Sequence, residues 1–390
     1  MISQELTTQL AKAPTPGDVF ERLIEQLEAQ KSWHLLFDAL LAQSKLKLGL
    51  ATLKPTSFED VPAALRPQFE KDYATAARVV GTALLGQKDI TGAYPYFQAI
   101  RDLEPLTAAL KAVPLPVTWS EEAQSLIQLA LYQKVAPERG VEMMLKLQGT
   151  CSTITALDQI FAELPSEARS RCAVLMVRNL HHDLLSNLSR EVLQKSPLAM
   201  PPKTIREAIT GRDWLFAESN YHIDVSHLHS VVRFARSIMN SPADLALARD
   251  LAEYGSMLDP QLQYSAEPPF DDYYAAHQQF FSVLLESTPD EHLAWFQKKL
   301  DAEPDAPDRA LIAYVMVDLL ARRKLLKEAI PLARTHLIGA DPQFLAAFSE
   351  LCRDAGEWGV LAEVAAEENE PVLYAAAVAA QCHQPANRSE

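Results

Sequence analysis

Glycine is scarce, 12 in 390 residues, roughly half the usual share. Phosphate-cradling loops, tight hairpins and nucleotide-binding turns need glycine where φ is positive or the backbone must approach a ligand. None of GxGxxG, GxxxxGK[ST] or GxSxG occurs. Cysteine is equally sparse. Cys151, Cys172, Cys352 and Cys382 show no CxxC spacing, so neither a disulfide framework nor a zinc cage is expected. They read as small buried apolar residues in a reducing compartment. Basic charge is short too: 36 Lys and Arg face 51 Asp and Glu, for a formal net charge of −15. That argues against a nucleic-acid partner, whose phosphates require a basic stripe. No uninterrupted apolar stretch nears the roughly 20 residues that span a bilayer. The start, MISQELTTQL, lacks the basic-then-apolar pattern of a signal peptide. The expectation is a cytoplasmic protein with no membrane partner and no cofactor.

Hydrophobic residues and proline are plentiful, 48% and 25 residues. The first is enough for a large core. The second is placed informatively. TPGDVFERL, RPQFEKDY, APERGVEMM, LPSEARSRC, SPADLALARD, TPDEHLAWF, APDRALIAY and DPQFLAAF each put Pro just before an acidic or amphipathic run. Pro suits the first helical position, where its missing N–H costs nothing, and acids there favour the helix dipole. Apolar residues between these starts recur at helical spacing, as in the row Leu311, Tyr314, Val315, Asp318, Leu319 and Arg322. Ser166 to Lys195 holds neither Pro nor Gly and predicts one long helix, or two joined without a breaker. PLPVTW, residues 114–119, is the only short strand candidate. The fold class expected is all-α. Soft joints fall near 104–119, 194–203 and 256–271, and the last residues, QPANRSE, read as frayed.

Residues 78–105, RVVGTALLGQKDITGAYPYFQAIRDLEP, carry an internal pattern. Ala77, Val80, Gly81, Leu84, Ala93, Phe97 and Pro105 fall at the spacing of a tetratricopeptide repeat, with Ala77 in place of the usual Trp. The stretch resembles that family. Residues 313–342 match less well: Ala329 is in place, Val317 stands for Gly, Leu320 for Tyr and Ala333 for Phe, and Pro342 comes one position late. Phe296 and Pro304 repeat the Phe-to-Pro spacing, with His292 at the small-residue position. Pro95 and Pro331 both follow the key alanine by two residues, which predicts second helices starting near Ile90 and Lys327. The resemblance implies antiparallel helix pairs stacked into a right-handed α-solenoid, taken here as one domain over 1–390, with a peptide or protein in its concave face. The paired Asn, Lys and Arg clamp that some members use for peptide carboxylates has no clear match.

The segment NYHIDVSHLH gathers His222, His227 and His229 around Asp224. Asp224 suits a helix N-cap, a short acceptor ahead of a periodic apolar face. His227 and His229 point about 200° apart on a helix and cannot chelate one ion from the same face. A metal set of Glu218, His222, Asp224 and His227 is possible in kind, but HExxH and paired ExxH motifs are absent. His181 and His182 precede Asp183 and diverge by about 100°, so at most one faces the core.

In YSAEPPFDDYYAAHQQFF, residues 264–281, Tyr273 and His277 share a helix face. Pro268, Pro269 and Phe270 suggest an exposed lip, and Tyr274, Phe280 and Phe281 a core. The pocket expected on these grounds is lined by His222, Asp224, His227, Tyr273 and His277. Residues 249–309 hold thirteen Asp and Glu against four Lys and Arg, a solvated face or a dock for a basic partner. No serine or cysteine sits in an activation motif. The function expected is a non-enzymatic scaffold for a protein or peptide. The alternative is a histidine-dependent metal protein or hydrolase with its site near 218–229 and 273–277.

Overall fold

Proline and short polar side chains set where each helix begins. The structure is a computed structural model describing residues 4–341 and 343–383. Pro342, QPANRSE and the first three residues lie outside the described residues. Every described element is helical, and PLPVTW is irregular chain. The chain divides into two compact units, Met1–Leu164 and Pro165–Glu390.

The first unit contains α1 (Gln4–Ala11), α2 (Pro16–Ala29), α3 (Trp33–Lys47), α4 (Arg66–Gly86), α5 (Ile90–Ala99), α6 (Glu104–Ala112), α7 (Glu121–Ile127) and α8 (Pro137–Ile160). Thr15 and Asp18 close a reciprocal capping box at the start of α2. In the pair α4 and α5, Ala77, Val80, Ala93 and Phe97 are buried. A Cβ on Gly81 would lie 2.7 Å from the Phe97 ring, so the missing side chain is what lets the two helices touch. α5 starts at Ile90, as its spacing predicts. Pro95, however, is its sixth residue, past the first turn whose amides have no helical partner. It therefore gives up one backbone bond, a loss that the packing around Ala93 and Phe97 outweighs. α7 runs on as a π-helical turn over Gln128–Tyr132. α8 breaks at Gly149, whose φ of 79° and ψ of −176° suit glycine alone.

The second unit opens with α9 (Ser166–Lys195), 30 residues without interruption. Cys172, Met176, Leu180, Leu184, Leu188 and Val192 form its buried seam, as the spacing predicts. Then follow α10 (Ile205–Ile209), α11 (Val225–Ala235), α12 (Pro242–Ser256), α13 (Tyr273–Leu285), α14 (Asp290–Ala302), α15 (Ala306–Arg322), α16 (Leu326–His336), α17 (Gln343–Ala355), α18 (Trp358–Glu367) and α19 (Pro371–His383). α11 and α12 pack on α9, and neighbours in sequence pack as pairs from α12 onward. α16 begins one residue before the expected Lys327, and again its proline, Pro331, is the sixth residue.

Two expectations change. Cys172 and Cys352 are buried, but Cys151 and Cys382 are exposed, because their helix faces meet solvent. Pro269 and Phe270 form no exposed lip. Phe270 is only 4% exposed, since its ring stacks on His277 at 4.3 Å. Among the described residues, no helix is long and apolar enough to cross a membrane.

Candidate functional site

The histidine segment folds as a capped helix start. Asp224 Oδ1 accepts from the backbone N–H of Ser226 at 2.9 Å and of His227 at 3.3 Å. These bonds, with the Ser226 hydroxyl first, hold its carboxyl below the usual range. His222 lies just ahead of the cap and is buried. Its backbone N–H donates to the Tyr254 hydroxyl at 2.8 Å, and that hydroxyl sits 3.0 Å from Nδ1. Nε2 faces Glu191 at 2.9 Å. Burial depresses the imidazole, and the Glu191 carboxylate partly offsets that. The group pins the 220–224 segment to α9 and α12. Tyr254 is itself fully buried.

Tyr273 and His277 belong to a second cluster. Tyr273 donates its hydroxyl to the His229 carbonyl at 2.6 Å, and His277 Nδ1–H donates to the Tyr273 carbonyl at 2.7 Å. The rings stack in series: Tyr264 on His229 at 4.3 Å, His229 on Tyr273 at 4.4 Å, Tyr273 on His277 at 4.4 Å. His277 is fully buried, and loss of solvation drives its imidazole well below the ordinary value. Tyr274, Phe280 and Phe281 are core, as their spacing implies. Among the described residues, no hydrogen bond, ion pair or ring contact joins His222, Asp224 or His227 to Tyr273 or His277. No group of three His, Cys, Asp or Glu side chains among them is placed to hold a metal ion. His181 is buried with Nε2 3.7 Å from Asp250, while His182 is exposed, the divergence expected of adjacent helical positions.

Many acids of residues 249–309 are engaged within the chain. Glu253 pairs with Arg206 at 2.5 Å, Asp271 with Lys299, and Glu286 with Arg249 at 3.3 Å and His292 at 3.0 Å. Asp305 caps α15.

A feature with room for a ligand lies elsewhere in the second unit. A groove of about 720 Å³ runs between α15 and α17 over α16, closed at one side by residues 239–242 and α12. This volume is within the range of small-ligand and peptide sites. Apolar groups dominate its wall: Leu245, Leu284, Tyr314, Leu337, Phe344 and Phe348. Tyr314 and Phe344 stack at 5.7 Å, and Tyr314 remains 50% exposed. Asp318 and Arg322 continue the Tyr314 row at four-residue steps along the groove. None of the five residues expected to line a pocket lines this one. The row is helical, as its spacing shows, but only its member Leu319 belongs to the core face. That face carries Ile312, Ala313, Met316, Leu319 and Leu320. A tyrosine, an aspartate and an arginine spaced i, i+4, i+8 were the available signal for the groove.

Comparison with protein-family models, curated proteins and solved structures finds no match.

Proposed function

We propose that the chain is a non-enzymatic interaction protein, built from tetratricopeptide-like helix pairs stacked right-handedly, that holds a segment of a protein partner in the α15–α17 groove. One observation carries the reading: the half-exposed Tyr314 and the partly exposed Phe344 stand at an open, largely apolar groove of about 720 Å³. Exposed aromatic anchors in a concave apolar wall are what peptide recognition by helical grooves uses. The close pairing of α4 with α5 through Gly81 and Phe97 supports the repeat likeness. The cytoplasmic setting expected from the sequence belongs to the same proposal. Ala347 lines the groove and is exposed, so Ala347→Trp fills it without disturbing buried packing. Proteins that co-purify with the wild-type chain and are lost with Ala347→Trp, at unchanged helicity, are the expected result. Identical co-purification by both chains counts against the groove.

A further inference from the structure

The groove has a polar centre whose chemistry narrows what can occupy it, given that it binds a peptide segment at all. Asp318 lies on its wall with 45% of its side-chain surface open. Among the described residues its one hydrogen-bond contact is the ion pair with Arg322 Nη1, at 3.5 Å, at the limit of a useful bond. Arg322 is held by other partners. Nη1 donates to the Arg236 carbonyl at 2.8 Å and Nη2 to the Ile238 carbonyl, and the guanidinium rests 5.5 Å over the Phe280 ring. Tied to the chain just past α11, it meets the carboxylate only through that long contact. Of the roughly four acceptor positions of Asp318, most have no protein partner among the described residues. Its carboxyl is raised by lost solvation, only partly countered by Arg322 and Arg236.

Such a carboxylate gains from a cation that arrives with its own apolar stem. The neighbouring rings suit that stem and its charge. Tyr314 sits one turn before Asp318 on α15, against Phe344, and aromatic faces attract Lys and Arg. The same unit already places Arg236 over Phe270 at 4.5 Å and Lys299 over Trp295 at 4.8 Å. The charge around the groove limits the number of cations. Asp318, Glu350 and Asp354 are matched in number by Arg322, Arg323 and Lys324. Arg323, capping α15, follows Asp318 by roughly 8 Å along the helix axis, and Lys324 comes directly after it. A second cation on the occupant would meet them. We propose that the groove takes a peptide segment carrying one Lys or Arg flanked by apolar residues, the cation docking on Asp318 beside Tyr314 and Phe344.

The test is selection of phage-displayed dodecapeptides on the full chain, run in parallel on Asp318→Asn and Ala347→Trp. The expected pool carries a single Lys or Arg beside aromatic or aliphatic residues and disappears with Ala347→Trp. Affinities of synthetic copies should fall at least about tenfold on Asp318→Asn, less on Asp318→Glu, and equally when the peptide Lys becomes norleucine. That last change leaves the protein untouched and decides the matter should Asp318→Asn fail to fold. Peptides lost with Ala347→Trp but anchored by acids, by a C-terminal carboxylate or by apolar residues alone overturn the cation site and leave groove binding intact. Polybasic peptides that bind tighter than singly charged ones also overturn it. A pool indifferent to Ala347→Trp overturns both readings.

Discussion

Asp224 and His277 show how differently single residues in one unit are determined. Asp224 satisfies two amides at the start of α11, a task settled by residues within three positions. Replacing it with Ala should cost about 1 kcal/mol, read as a lower urea midpoint at unchanged slope; no change would mean that water caps the helix equally well. This residue was legible in the sequence because capping is local. His277 was legible only as a member of a helix face. Its burial depends on Phe270 arriving from the preceding loop, which no spacing announces. The pH consequence follows from the sign of its shift. The folded protein keeps His277 neutral well below its ordinary value, whereas the unfolded chain takes up a proton near pH 6.5. Stability is therefore present above that pH and declines below it, by up to about 1.4 kcal/mol per pH unit for one such group. His222 adds in the same direction, less strongly because of Glu191. Urea midpoints from pH 7.5 to 5.5 should show the decline, and His277→Phe should flatten it. An equal slope in that variant would place the proton uptake elsewhere.

At the scale of elements, helix starts were the most readable feature. Pro16, Pro137 and Pro242 each open a helix, since a fixed φ and an absent donor act within one turn. Helix faces were less readable. On α15 two rows show helical spacing, and only contact with the other helices decides which is core. Tyr314, Asp318 and Arg322 face a groove that exists because α17 stands across from them. Close approach between helices gives a further prediction. Ala is a better helix former than Gly by about 1 kcal/mol, yet a methyl at position 81 would lie 2.7 Å from the Phe97 ring. Gly81→Ala should therefore destabilise, by about 1–3 kcal/mol, and Phe97→Leu should relieve part of that loss. A Gly81→Ala chain that melts higher than wild type would show that α4 and α5 part easily.

On the scale of the whole molecule, each unit carries its own buried seam, from Phe69, Phe97 and Leu106 in the first to Leu180, Phe234 and Phe281 in the second. Residues 165–390 expressed alone should thus retain a helical spectrum and unfold cooperatively; a broad, non-cooperative melt would show that the unit needs the remainder of the chain. The net charge of −15 belongs to this scale as well. It draws cationic segments from a distance, so association with a Lys- or Arg-bearing peptide should slow as salt rises.

Arg322 sets an order of assembly. Paired helices mostly meet their neighbours in sequence, which favours rapid folding. Arg322 instead bonds to carbonyls 86 and 84 positions earlier. On a ribosome the end of α11 emerges well before α15 and must wait, its last carbonyls hydrated, until Arg322 is synthesised. The groove wall thus becomes fixed only when that late bond closes. Closing a contact over 86 positions carries a large loop-closure cost, which places the bond after the folding nucleus. Such contacts act on unfolding more than on folding, so Arg322→Met should hasten the opening of the chain while leaving its refolding rate almost unaltered.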